Sequence, residues 1–488
     1  MKNYLCIPFL ICIVTFCYPG ISALAVDYRI DSQKQFDQVQ SIALQPGDTI
    51  LFKRGERFTG MFSPQGNGID GKPIRIGAYG KGSRPLINAK GLHPAGLLLK
   101  DPSFWEVNGL ELTNTDGTDV DQGDLFGIYV LADKSERVFE HVFINDCFIH
   151  DVNGKVAGKR RGGIHVHIRD LENARFHDLR ITNNRITHIG GVGIGNDSSC
   201  GKVIINKGGK VQTRNLWMKV YVADNFIDQT GRNCIIARVS KDAVYERNTL
   251  ANSSRYSTGH SIFNFNTDGI KIQYNEAYGN IGAGGNDRGG FDADYNSVNT
   301  YIQYNYSHDN LWFCGIMKRP NHNVIIRHNV SQNDREGIYF YGFEREKKAK
   351  RIHIYNNTHY VRAGLNVKVF AEDRTPINST FENNIFYFEG KGRWGGNAKG
   401  INTIFNNNVY FNITPHASDT QAQTEKPRFM RPGKAGKDID LKTMKELEGY
   451  RLMPGSPYLK DAERIEESGG QNIIKEKVSS NDERYGAL

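Results

Sequence analysis

Apolar residues in this chain come in short runs that alternate with polar ones and end at asparagine or glycine turns. Two runs show the form: Ile302-Gln303-Tyr304-Asn305 and Ile325-Ile326-Arg327-His328-Asn329. A short strand, an asparagine turn and a second short strand recur at Asn145, Asn184, Asn225, Asn248, Asn275, Asn305, Asn329, Asn357, Asn384 and Asn408. Most intervals are roughly 23 to 30 residues, the coil length of a β-solenoid. The longer step from Asn184 to Asn225 predicts an additional coil or a loop projecting around Gly208-Gly209. No long amphipathic helical pattern interrupts the series. Asparagine suits such corners because it tolerates left-handed dihedrals. Stacked in register, its amide can also bond the amides above and below. These asparagines therefore read as scaffold.

A further strand in many coils opens with Gly-Ile or a close variant, as at Gly127-Ile128, Gly163-Ile164 and Gly193-Ile194. If the residue after the glycine points inward, alternation sends the next one outward. The expected outward column holds His165 and His167, Asp197, Arg238, Phe263 and Phe265, and Asp292 and Asp294. It continues through Met317 and Arg319, Tyr339 and Tyr341, and Asn366 and Lys368. With strands about 4.8 Å apart, that column is one continuous stripe.

The ends of the chain read differently. Lys2, the apolar run Leu5 to Tyr18 and the small residues Ala23-Leu24-Ala25 form a secretory leader with cleavage expected after Ala25. Export to the periplasm or the medium follows, with no membrane insertion, since no later run is apolar for long enough to span a bilayer. Ala43 to Phe52, with its Pro46-Gly47-Asp48 turn, opens the solenoid behind a cap. From about Thr414 the turns stop, and a short helix is expected around Leu441 to Leu447. The expected division is leader 1–25, solenoid 26–415 and a C-terminal extension 416–488 that packs on or caps it. A monomer is expected.

Composition adds little. Sixty-two Lys and Arg face 53 acids, a net +9 that becomes +8 without Lys2. The excess is a weak pointer to an anionic polymer; export and the lack of a basic stripe argue against nucleic acid. Cys147, Cys200, Cys234 and Cys314 are too scattered for a zinc or redox motif and read as buried thiols.

The chemistry concentrates between Gly259 and Tyr341. Asp292 and Asp294 share one strand face, with Cα atoms about 6.7 Å apart. Glycosidic cleavage needs one carboxyl that keeps its proton and one that is ionised, and close acids drive their pKa values apart in that way. Solvated surface acids or a calcium site are the alternatives; no other cofactor or metal is expected. Asp268, in Asn266-Thr267-Asp268-Gly269, is a reserve catalytic acid or a turn residue. His260 is a candidate proton shuttle or hydroxyl ligand. Lys318 and Arg319 are candidate cations for a carboxylate or sulfate on the substrate, and Arg238 and Arg288 are further substrate-binding candidates. Lys318 would point inward, which is costly unless the strand ends there. Tyr339 and Tyr341 offer flat faces for sugars. His165 and His167 form a distal subsite or, with Asp197, a partial metal set.

Asn266-Thr267-Asp268-Gly269 and Gly259-His260-Ser261 resemble pieces of the polygalacturonase signature, but in the opposite order and without its paired aspartates and its Arg-Ile-Lys. Gln273 to Gly279, the Gly290-Phe291-Asp292-Ala293-Asp294-Tyr295 strand and Ile302 to Asn310 resemble exported right-handed parallel β-helix proteins of polysaccharide-degrading bacteria. So do the Pro46-Gly47-Asp48-Thr49-Ile50 opening and the Pro454-Gly455-Ser456-Pro457 tail. The resemblance implies an all-β fold, a right-handed single-stranded parallel β-helix with an N-terminal cap and an irregular C-terminal tail. It also implies a carbohydrate-active enzyme of glycoside hydrolase or polysaccharide lyase type. The expectation is a glycoside hydrolase using Asp292 and Asp294 on a polysaccharide or oligosaccharide. The alternatives are β-elimination of a uronic-acid polymer, with Lys318, Tyr341 or His260 as base, and a non-catalytic glycan-binding solenoid.

Overall fold

The computed structural model describes residues 24–118, 123–153, 158–206, 208–371, 374–465, 470–478 and 484–488. The leader expected over 1–25 falls almost wholly outside them. Among the described residues the strands form three long parallel sheets of fourteen, thirteen and ten strands. Each coil contributes one strand to each sheet in turn. Lys271–Gln273 lies in the first sheet, Glu276–Tyr278 in the second and Gly289–Ala293 in the third, and Ser297–Gln303 returns to the first. This is the expected parallel β-helix.

The period-2 pattern fills its interior. Ile235, Ile262, Phe291, Cys314 and Tyr339 lie in register across five strands of the third sheet, all fully buried in one core. A Val, Leu, Ile or Phe side chain removed from water in this way contributes about 1.5–3 kcal/mol. All four described cysteines are buried free thiols. The Gln33–Val39 helix closes the N-terminal end, setting Phe36 against Phe52, Phe58 and Phe62. The long step after Asn184 is a projecting antiparallel hairpin, Lys202–Ile205 with Val211–Arg214. Beyond Phe411 the chain packs along the outside of the coils. There Phe429, Leu447, Tyr450 and Tyr485 cover Tyr304, Tyr306, Tyr360 and Tyr387. Among the described residues of this stretch the one regular helix is a 3-10 turn at Lys445–Tyr450, slightly later than expected.

The asparagines form a continuous ladder from Asn184 to Asn408. Each Nδ2 donates to the next Oδ1 at 2.9–3.1 Å. Asn408 donates to Asp419 Oδ2 at 2.9 Å, which ends the series. Two details differ from the sequence reading. Asn145 is not a rung: it lies in register with Thr182, and the backbone N–H of Cys147 occupies the rung position, donating to Asn184 Oδ1. The left-handed residue is also not the rung asparagine but the one before it. Arg247, Tyr274, Tyr304 and His328 have φ of 52°, 54°, 58° and 51°. The rung is asparagine because its amide bonds both neighbouring coils.

Asn305→Ala is therefore expected to lower stability by about 3 kcal/mol, since it removes the shared acceptor of the buried Asn275 N–H and Nδ2 and the donor to Asn329 and Ile272 O. Asn145→Ala, at a partly exposed site bonded only to neighbouring side chains, is expected to cost less than about 1 kcal/mol. Denaturant unfolding of both variants measures the difference.

Candidate functional site

Outside the third sheet, side chains in register build a wall. Ile236, Phe263, Asp292, Gly315 and Phe340 are one outward column; Arg238 and Phe265 begin a second. These columns line a cavity of about 400 Å³ that also takes in Lys159, His260, Asp287, Asp294 and Arg374. Among the predicted residues, Asp292, Asp294, His260 and Arg238 meet here.

Asp292 and Asp294 are 3% and 9% exposed. Burial and the neighbouring carboxylates Asp294 and Asp287 push Asp292 well above the usual carboxylate range. Burial raises Asp294 to about 7, although the Tyr295 N–H donates to its Oδ1 at 2.8 Å and Lys159 favours its charge. Asp292 Oδ1 has no hydrogen-bond partner among the described residues and faces the cavity.

His260 is fixed from behind. The Gly289 N–H donates to its Nδ1 at 3.0 Å. This puts the imidazole proton on Nε2, 3.8 Å from Asp292 Oδ2 and 3.9 Å from Asp287 Oδ1. Burial lowers its pKa to about 4, so the ring is neutral and acts as a donor. Two glycines make the space. A Cβ on Gly289 would stand 2.6 Å from His260 Nδ1, and one on Gly315 would stand 2.7 Å from His260 Nε2 and 2.8 Å from Asp292 Oδ1.

The other predicted residues lie elsewhere. Tyr339 and Tyr341 are fully buried in the core, bonded to His359 Nε2 at 2.9 Å and Ser379 Oγ at 2.8 Å. Gly337 pairs with Trp312 and Tyr339 with Cys314, so Ile338, not Gly337, corresponds to the glycine of Gly163-Ile164. That one-residue slip turns both tyrosines inward and Phe340 outward. Lys318 follows the end of its strand and is buried in an ion pair with Glu344, with a further bond to Thr375 O at 3.1 Å, so it is not available to substrate. Arg288 donates to three carbonyls of its own loop, Ile281, Gly282 and Gly285. Asp268 accepts from Asn299 Nδ2 at 2.8 Å and bridges to strands of the first sheet, a turn role rather than a catalytic one. Arg319 stacks on Phe343 and Tyr295 at the rim, its guanidinium 3.8 and 4.9 Å from their centroids.

His165 lies in the Asp292 column, four strands away, with its ring against Phe126 and Tyr129. His167 Nδ1 meets Tyr129 Oη at 2.9 Å, and Asp197 is held by Arg160. Neither histidine lines the cavity. Among the described residues, no three His, Cys, Asp or Glu side chains converge as metal ligands would.

Sequence reading missed Lys159, Asp287, Phe340, Phe343 and Arg374. Phe340 was one residue from Tyr339 and Tyr341. The rest stand on loops, where no periodicity marks which side chain turns inward.

No family model matches the chain. Lacto-N-biosidase of Bifidobacterium longum subsp. longum is 26% identical over 485 residues, spanning 78% of this chain and 29% of that protein. The chain thus spans less than a third of that relative's length. The solved GH136 lacto-N-biosidase from Eubacterium ramulus matches with a TM-score of 0.55 and 20% identity, over 82% of this chain and 67% of that one. Its native form gives 0.54 and 18%. At that identity the likeness shows the fold.

Two measurements check this geometry. Tyr341→Phe is expected to cost about 1 kcal/mol in denaturant unfolding through the lost Ser379 bond. The second concerns Asp294, whose folded pKa of about 7 lies above the unfolded value, so its stability contribution is present at acid pH and lost as pH rises towards 8. The buried neutral His260 opposes this trend between about pH 4 and 6.5, so the comparison must be a difference. The melting temperature of Asp294→Asn minus wild type is expected to grow from pH 5 to pH 8.

Proposed function

We propose that this chain is a glycoside hydrolase that cleaves an oligosaccharide in the Asp292–Asp294 cavity. The observation that carries the reading is two carboxyl groups two residues apart, Asp292 on the Gly289–Ala293 strand and Asp294 just past its end, both raised by burial, in a cavity with aromatic walls. Raised carboxyls divide into a proton donor and a base, as glycosidic cleavage requires. Asp292, held well above the normal range, keeps its proton and gives it to the leaving glycosidic oxygen. Asp294, near neutrality, is the ionised partner, acting as base or nucleophile. Asp287, 51% exposed on the rim, is a third carboxyl facing the same imidazole. His260 Nε2–H donates to a sugar hydroxyl or to developing negative charge beside Asp292. Phe263, Phe265, Phe340 and Tyr295 give the sugar rings apolar faces.

The relative named lacto-N-biosidase supports hydrolysis of an oligosaccharide over β-elimination. The lyase alternative also loses support from geometry. Two of its three candidate bases, Lys318 and Tyr341, are outside the cavity, and His260 offers a donor there. With the expected leader, the place of action is outside the cytoplasm, and the substrate is met there by a single chain.

The test is turnover of purified protein on an oligosaccharide panel with product masses. Products are expected to gain water, with no ultraviolet-absorbing unsaturated sugar. Asp292→Asn and Asp294→Asn are each expected to lower kcat by about 10³-fold while substrate still binds. Asp287→Asn is expected to lower kcat as well. Full activity in both Asp292→Asn and Asp294→Asn would overturn the reading.

A further inference from the structure

Two cations of the cavity, Lys159 and Arg238, have no carboxylate of their own. Lys159, Arg232 and Arg238 line the end of the cavity that lies on the N-terminal side of the Asp292 strand, and Arg374 lines the other end, over Phe340. Lys159 Nζ sits 4.5 Å from the Phe263 centroid and makes no ion pair or hydrogen bond among the described residues. Arg238 has a carboxylate nearby, Asp197 at 3.8 Å, but Asp197 is already taken by Arg160. The Arg238 Nε has no partner. Two guanidinium groups thus share one carboxylate, and the ammonium has none.

The acids do not make up the difference. None of Asp287, Asp292 or Asp294 lies within ion-pair distance of Lys159 or Arg238. Burial holds Asp292 protonated and leaves Asp294 only partly charged at neutral pH. Phe263 and Phe265 form a dry wall beside the cations, where a charge-assisted bond is stronger than in water. Arg238 shares the Phe265 column and stands two strands from Asp294, about 10 Å, beyond the sugar that the acids would hold.

We propose that Lys159 and Arg238 form a subsite for an anionic group, a carboxylate or sulfate, on the sugar adjoining the bond to be cleaved. The guanidinium of Arg238, which lines the cavity, donates to one anionic oxygen, and the Lys159 ammonium moves off the Phe263 face to a second. The placement beside the scissile bond rests on the glycoside hydrolase reading; the anion site itself does not.

Binding separates the two. Asp292→Asn protein is titrated calorimetrically with lactose, 3′-sialyllactose, 3′-sulfated lactose, trigalacturonate and methyl-esterified trigalacturonate. At least one acidic probe is expected to bind about 10-fold tighter than its neutral counterpart. The carboxylate and sulfate arms tell which anion is preferred, and the margin should shrink as salt is raised. Adding Lys159→Met and Arg238→Gln is expected to erase the margin, and Arg238→Lys to keep part of it; a melting temperature unchanged within a few degrees shows that these variants fold. No acidic probe preferred over its neutral partner, or a preference that survives the double variant, would overturn the inference. An acidic probe bound tightly but never cleaved by wild type would leave the subsite standing and remove the hydrolase reading.

Discussion

The register between coils is the constraint on which everything else in this molecule depends. A strand side chain points in or out by parity alone, so one residue of slip exchanges core for surface. The asparagine ladder fixes that parity, because each amide donates to the next and accepts the backbone N–H of the coil before it at about 3 Å. Held in this way, Phe263 stands beside Asp292, Asp292 beside Gly315 and Gly315 beside Phe340. The cavity is the outer face of that same arrangement.

The site then costs what the scaffold supplies. Two carboxyls and an imidazole are removed from water with few partners, and Asp292 Oδ1 and His260 Nε2 are left without hydrogen bonds among the described residues. Buried polar groups in that condition lower stability. They persist because strands on either side are tied by backbone ladders and by a core of fully buried Ile, Phe and Val. The absence of a side chain at Gly315 and Gly289 completes the arrangement. Larger residues there would fill the gap between imidazole and carboxylate or displace the ring.

The fold was legible in the sequence because its period is written repeatedly, in asparagines roughly one coil apart. The site was legible only where it shares that period. Asp292 and Arg238 sit on strands and Asp294 directly follows one, so alternation sent them to the cavity face. Tyr339 and Tyr341 also sit on a strand, but Gly337-Ile338 enters one residue out of step with Gly163-Ile164, and nothing local records the offset. Lys318 could not be placed either, because its counter-ion Glu344 lies 26 residues further on, across a turn. Lys159, Asp287 and Arg374 come from loops, whose side chains follow no repeat. Asp268 was misleading for a different reason: an Asp-Gly turn and a catalytic acid have the same composition.

The projecting hairpin shows what the ladder leaves free. Asn184 and Asn225 are 41 residues apart and Asn225 and Asn248 only 23, yet the two amide contacts are 3.0 and 2.9 Å. The spine does not register how much chain is spent between one rung and the next. Insertions at the corners can therefore lengthen, shorten or be exchanged while the column of amides stays intact. Evolution could redraw the rim of such a cavity, and with it the choice of ligand, without reopening the problem of how the molecule folds.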